Sequence, residues 1–151
     1  MRKVLLICIL CLSQHSLSQV VSSFGAYEAQ GNKVSDLDAR YKSALHTNLD
    51  LAVFKTEDEQ RSFTEAYQNM LAEFGSFLAK SDFSWEQQTR GFNRIYFNEN
   101  GTVDYFLFDF KNLDAKKAAT FQQLLSEFLK TYNFPIKPKI KFAQCSPVVY
   151  K

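Results

Sequence analysis

Residues 92–110 place aromatic or apolar side chains on both sides of an extended chain, and this pattern limits the fold more than any other feature. Phe92 to Phe97 and Thr102 to Phe110 are rich in aromatic and branched residues, separated by Asn98-Glu99-Asn100-Gly101. That linker suits a type I turn closed by a glycine in the left-handed region, a three-residue hairpin loop with a bulge. With Asn98 opposite Thr102, Phe97 meets Val103, Ile95 meets Tyr105 and Asn93 meets Leu107. The other face carries Phe92, Phe106, Phe108 and Phe110, with Arg94 and Tyr96 near Asp104. An antiparallel sheet with one wet face alternates apolar and polar residues. This hairpin does not, so it needs a covering layer on each side.

Helical segments before and after the hairpin can supply those layers. Thr56-Glu57-Asp58-Glu59 is a capping box with three acids at the positive end of a helix dipole. Phe63, Tyr67, Met70, Leu71, Phe74, Phe77 and Leu78 follow at steps of three and four, predicting an amphipathic helix to about Lys80. Ser35 can cap an earlier helix carrying Leu37, Tyr41, Ala44 and Leu45 and fading near Asn48. Asp114 caps a third, whose stripe runs from Ala118 to Tyr132 and which Asn133 and Pro135 end. Ile136 to Phe142 alternates apolar residues with Lys137, Lys139 and Lys141, an edge-strand pattern with Pro138 inside it. Cys145-Ser146-Pro147 should break that strand, and Val148 to Tyr150 resume it. The expected fold is α+β in the order α-α-β-β-α-β: two N-terminal helices, a hairpin, a helix and a further antiparallel edge strand.

The N-terminus reads differently. Arg2 and Lys3, the apolar run Val4 to Leu12 and Ser16-Leu17-Ser18 have the layout of a secretory signal peptide cut before Gln19. The run is far shorter than the ~20 residues that cross a bilayer, so no transmembrane segment is expected in the mature chain. The domain division is therefore signal peptide 1–18, flexible mature N-terminus 19–34 and a single α+β domain 35–151, with a periplasmic or extracellular location. Removing 1–18 takes away two cations, His15, Cys8 and Cys11, so Lys+Arg falls from 18 to 16 against 16 acids. One cysteine, Cys145, cannot form an internal disulfide, so the apolar core must hold the fold. From Phe128 onward Lys130, Lys137, Lys139, Lys141 and Lys151 face no acid, leaving residues 19–127 at −5.

Few residues remain for chemistry. The mature chain has one histidine, His46, and no G-x-S-x-G elbow, C-x-x-C, H-E-x-x-H or phosphate-cradling glycine loop. No cofactor, metal or catalytic residue is expected, and a net charge of zero argues against nucleic acid. Asn100-Gly101-Thr102 matches a glycosylation acceptor, although the turn alone accounts for it. The segment Arg94 to Tyr150 resembles the C-terminal domain of TonB-type energy transducers in its order: an Asn100-Gly101 hairpin, a helix opened by Leu113-Asp114, a strand over Pro135 to Phe142, and a final Pro147-Val148 stretch. The resemblance implies a ββαβ architecture and does not carry over the transducing role.

The reading that follows is a small exported, non-catalytic interaction protein whose partner is another envelope or secreted protein. Its candidate surfaces are the aromatic hairpin face (Phe92, Tyr96, Phe106, Phe108) and the lysine strip (Lys137, Lys139, Lys141), with Cys145 as a candidate reactive thiol. The alternatives are a carrier of a small apolar ligand and an envelope enzyme with an unrecognised site.

Overall fold

The computed structural model describes residues 19–151, so the expected signal peptide lies outside the described residues. The elements are β1 (Val20–Ser23), α1 (Phe24–Ala29), α2 (Val34–Asp38), β2 (Lys42–Ser43), α3 (Glu57–Lys80), β3 (Thr89–Phe97), β4 (Val103–Phe110), α4 (Ala115–Thr131) and β5 (Phe142–Tyr150). They form one mixed sheet in the order β1-β4-β3-β5-β2, with both end strands parallel to their neighbours. The class is α+β, but the expected α-α-β-β-α-β layout is wrong in three places.

The first correction is at the N-terminus. Residues 20–29, expected to be loose, form β1 and α1. Val21 pairs with Phe106 of β4 and is buried. Ser23 then caps α1, accepting from the Ala26 N–H at 3.2 Å.

The second is the helix expected from Ser35 to Asn48. Only Val34–Asp38 is helical, and the chain then turns into β2. The apolar positions that look like one stripe serve two cores: Leu37 and Tyr41 pack with Tyr96 and Leu107, while Ala44 joins the large core on the opposite side of the sheet. A straight helix cannot face both. Backbone pairing takes over, with the Ala44 N–H donating to the Ala143 carbonyl at 2.8 Å.

The third is the last strand. Ile136 to Lys141 is a loop, with Lys139 at φ +58°, and β5 starts at Phe142 and runs through Cys145-Ser146-Pro147. Pro147 is tolerated because of the side on which its backbone lies. The Ala143 carbonyl points outward to β2, and backbone polar groups alternate sides along the unbroken β5 register. Four residues on, the missing N–H of Pro147 faces an open edge beyond β2 rather than β3.

The hairpin turn forms as the sequence implies, with Asn98 N–H donating to Thr102 O at 2.7 Å and Gly101 at φ +87°. Phe97 meets Val103, but the register then slips: Asp104 is bulged out and Tyr96 meets Tyr105, Ile95 meets Phe106 and Asn93 meets Phe108. One extra residue moves every later side chain of β4 to the other face. The slip sorts the aromatics. Phe97, Phe106 and Phe108 lie under α3 and α4 with Phe74, Phe121 and Phe128. Tyr27, Tyr41, Tyr96 and Tyr105 lie on the other face with Leu37 and Leu107. The covering layer there is thin, since α1 has six residues and α2 five. Tyrosine suits such a layer, because its ring is buried while its hydroxyl reaches a polar partner at the rim.

α3 lies where its start signal puts it. Thr56 Oγ1 accepts from the Glu59 N–H at 3.2 Å and Glu59 Oε2 accepts from the Thr56 N–H at 3.0 Å. Phe63, Tyr67, Met70, Phe74 and Leu78 form its buried stripe. Among the described residues no helix is long and apolar enough to cross a membrane.

Candidate functional site

The fold separates the expected surface residues. Phe106 and Phe108 are buried at 0% and 2% exposure, with Phe108 edge-on to Phe121 at 5.1 Å. Tyr96 is also fully buried, and its hydroxyl donates to Asp38 Oδ1 at 2.9 Å. None of the three can be a docking surface. Phe92 alone stays 37% exposed, tilted against Phe24 at 6.2 Å. Cys145 is a free, exposed thiol on β5, just past the short β2 pairing and opposite Arg94 in register.

The lysine strip is on the loop before β5 rather than on a strand. Lys137 and Lys139 are exposed there, while Lys141 is half-buried. Lys141 Nζ lies 3.5 Å from Asp104 Oδ2 and 5.5 Å from the centre of the Tyr41 ring. The bulge at Asp104 gives it further partners, and its side chain is mostly buried among them. Tyr41 donates to it at 2.6 Å, and the Asn98 side-chain amide donates at 3.1 Å and 3.2 Å. A second carboxylate, Asp38, is held by the Tyr96 hydroxyl and by the Arg94 guanidinium. Burial first, and then the bond to a carboxylate, pushes the Tyr41 and Tyr96 hydroxyls well above the usual phenol range. Both stay protonated donors, so this polar belt ties the loop's end and the β2 segment to the hairpin.

Beside the loop lies an open groove of about 620 Å³. One wall is the first turn of α3 with Asp58, Glu59 and Ser62, and the other is the loop with Ile136, Lys137, Pro138 and Ile140. The connector Ala52 to Lys55 and Lys42 of β2 complete it. A second depression of about 450 Å³, lined by Asp38, Arg40, Tyr41, Glu99 and Lys141, adjoins the first at Lys42 and Ile140.

The charges in the groove are unequal in availability. Asp58 is paired with Arg61. Glu59 accepts the backbone N–H groups of Thr56 and Lys55, which hold its carboxyl below the usual range. Among the described residues Lys42, Lys55 and Lys137 make no ion pair. Between them Ile140 is 41% exposed. The groove therefore offers Lys42 and Lys137, with Lys55 beside Glu59, around an apolar floor.

Lys42 and Lys55 were not among the expected site residues. They lie far from Lys137 in sequence, and only the β2–β5 pairing brings Lys42 to the loop. His46 sits in an exposed turn, its Nδ1 accepting from the Asn48 N–H at 2.9 Å. No group of three or more His, Cys, Asp or Glu residues able to hold a metal is found among the described residues. No family model matches this chain, and neither a curated protein nor a solved structure matches it.

Proposed function

We propose that this is a small exported, non-catalytic binding protein that holds another envelope or secreted protein against the basic groove. The observation that carries the reading is the set of three unpaired lysines, Lys42, Lys55 and Lys137, around the exposed Ile140. Isolated surface lysines are usually just solvated. Here they converge from three chain segments on one concavity whose own acids are already engaged, an arrangement that favours an anionic partner. Lys139 lies on the same loop between Pro138 and Ile140, while Lys141 is paired with Asp104.

The test is capture from the native envelope fraction by the chain starting at Gln19, beside a Lys42→Glu/Lys55→Glu/Lys137→Glu triple variant. Retention of a partner by the first and its loss by the second is expected. Equal capture by both would overturn the groove as the partner site. Export is tested by mass spectrometry of the N-terminus, where a chain beginning at Gln19 is expected and an intact Met1 would remove the export claim.

A further inference from the structure

Building on the partner-binding reading above, we infer that the occupant of the groove is an extended peptide segment alternating acidic and aliphatic side chains. Three features of the groove fit such a ligand together. The ammonium groups of Lys42, Lys55 and Lys137, none of them in an ion pair among the described residues, call for carboxylates. Between them, Val53, Ile136, Pro138 and the 41%-exposed Ile140 give aliphatic side chains apolar surface to cover. The third feature is the main chain of the loop. Among the described residues the backbone of residues 135–140 makes no hydrogen bond to other main chain. Pro135 and Pro138 lack an N–H and Lys139 is left-handed, so the loop offers a peptide single backbone groups to bond rather than a continuous strand edge.

The same features disfavour a nucleic acid. A sugar–phosphate backbone has no use for the aliphatic floor. A peptide can place a carboxylate at each lysine while turning its intervening side chains to the floor, since successive residues of an extended chain point to opposite sides.

The experiment is fluorescence anisotropy of a labelled twelve-residue peptide alternating glutamate and valine, titrated with the chain from Gln19 to Lys151. Parallel titrations use the glutamine-for-glutamate peptide, an oligothymidylate of equal charge and vesicles containing anionic lipid. Saturable binding is expected for the acidic peptide alone, weakening at least about tenfold when ionic strength rises from about 0.05 to 0.5 M. Lys42→Gln/Lys137→Gln and Ile140→Ser should each weaken it about tenfold, with unchanged melting temperature. Lys130→Gln, on the exposed side of α4, should leave it unchanged. Equal or tighter binding of the oligonucleotide or vesicles would overturn the inference, as would equal binding of the glutamine peptide. Absence of peptide binding, with envelope capture still abolished by the triple lysine reversal, would remove this ligand chemistry and leave the partner-binding reading standing. If capture is also indifferent to the reversal, both fall.

Discussion

Gly101 has φ +87°, and a Cβ there would lie 2.4 Å from the Phe134 carbonyl oxygen and 2.9 Å from Asn133 Oδ1. Gly75, in the middle of α3, has nothing within 4 Å of its would-be Cβ. The two glycines should therefore respond oppositely to alanine. Gly101→Ala should lose about 2–4 kcal/mol of unfolding free energy, through backbone strain and a collision with main chain that cannot move. Gly75→Ala should gain about 0.5–1 kcal/mol by removing a flexible residue from a helix. Urea denaturation of both variants checks the pair. Tyr67 gives a pH prediction. Its hydroxyl is bonded to Ser146 Oγ at 2.6 Å, and burial pushes its pKa from 10.0 up to about 12. In the unfolded chain it ionises near the ordinary value. The stabilisation is thus complete below pH 10 and lost as pH rises towards 12, amounting to at most about 2–3 kcal/mol. Chemical denaturation between pH 9 and 12 should show this slope, reduced in Tyr67→Phe. The glycine turn was legible in the sequence; the bulge at Asp104 was not, because the turn residues leave open where an extra residue enters the ladder.

Among the elements, α3 carries the strongest local signals and lies where they point: a capping box, three acids in the first turn and one continuous apolar stripe. β5 shows the limit of such signals. The alternation of lysines with Ile136, Pro138, Ile140 and Phe142 has the period of a strand, yet only Phe142 enters one. Proline and the left-handed backbone of Lys139 keep the segment out of the ladder, and the strand starts six residues later than expected, at Phe142, where β3 offers an unpaired edge. Pro147 then leaves a gap in the outward row of donors between Cys145 and Val149, which blunts an edge that would otherwise invite a second strand. Pro147→Val should restore that donor. Its expected effect is little change in melting temperature but concentration-dependent self-association by sedimentation velocity. A strictly monomeric variant would show that the proline has no protective role.

At the scale of the whole molecule, the sheet divides the core into two unequal parts, a large phenylalanine-rich side under α3 and α4 and a thin tyrosine-rich side under α1 and α2. The thin side depends on residues that look unstructured in isolation. Removing residues 19–29 takes away β1, the burial of Val21 and Tyr27, and the cover over the β4 edge. A chain beginning at Gln30 should lose about 3–6 kcal/mol, from two buried side chains at about 1.5–3 kcal/mol each. Thermal unfolding beside the chain from Gln19 is the check, and an unchanged melting temperature would mean that β1 does not stabilise the sheet. The candidate groove belongs to this scale as well. Lys42, Lys55 and Lys137 are scattered in sequence, so charge patterning could find the lysine-rich loop but not the concavity.

The sequence by itself determined the α+β class, the hairpin turn, the span of α3 and the requirement that both hairpin faces be covered. Each follows from local chemistry or from a periodicity within one segment. Only the tertiary structure decided the hairpin register beyond the bulge, the pairing of β1 and β2, the start of β5 and the convergence of the lysines. The reason is physical in each case. A four-residue and a two-residue strand have too little local preference to declare themselves, and they form because a neighbouring edge supplies their hydrogen bonds. The apolar residues from Leu37 to Ala44 likewise satisfy a helical pattern that loses to two cores on opposite faces of one sheet.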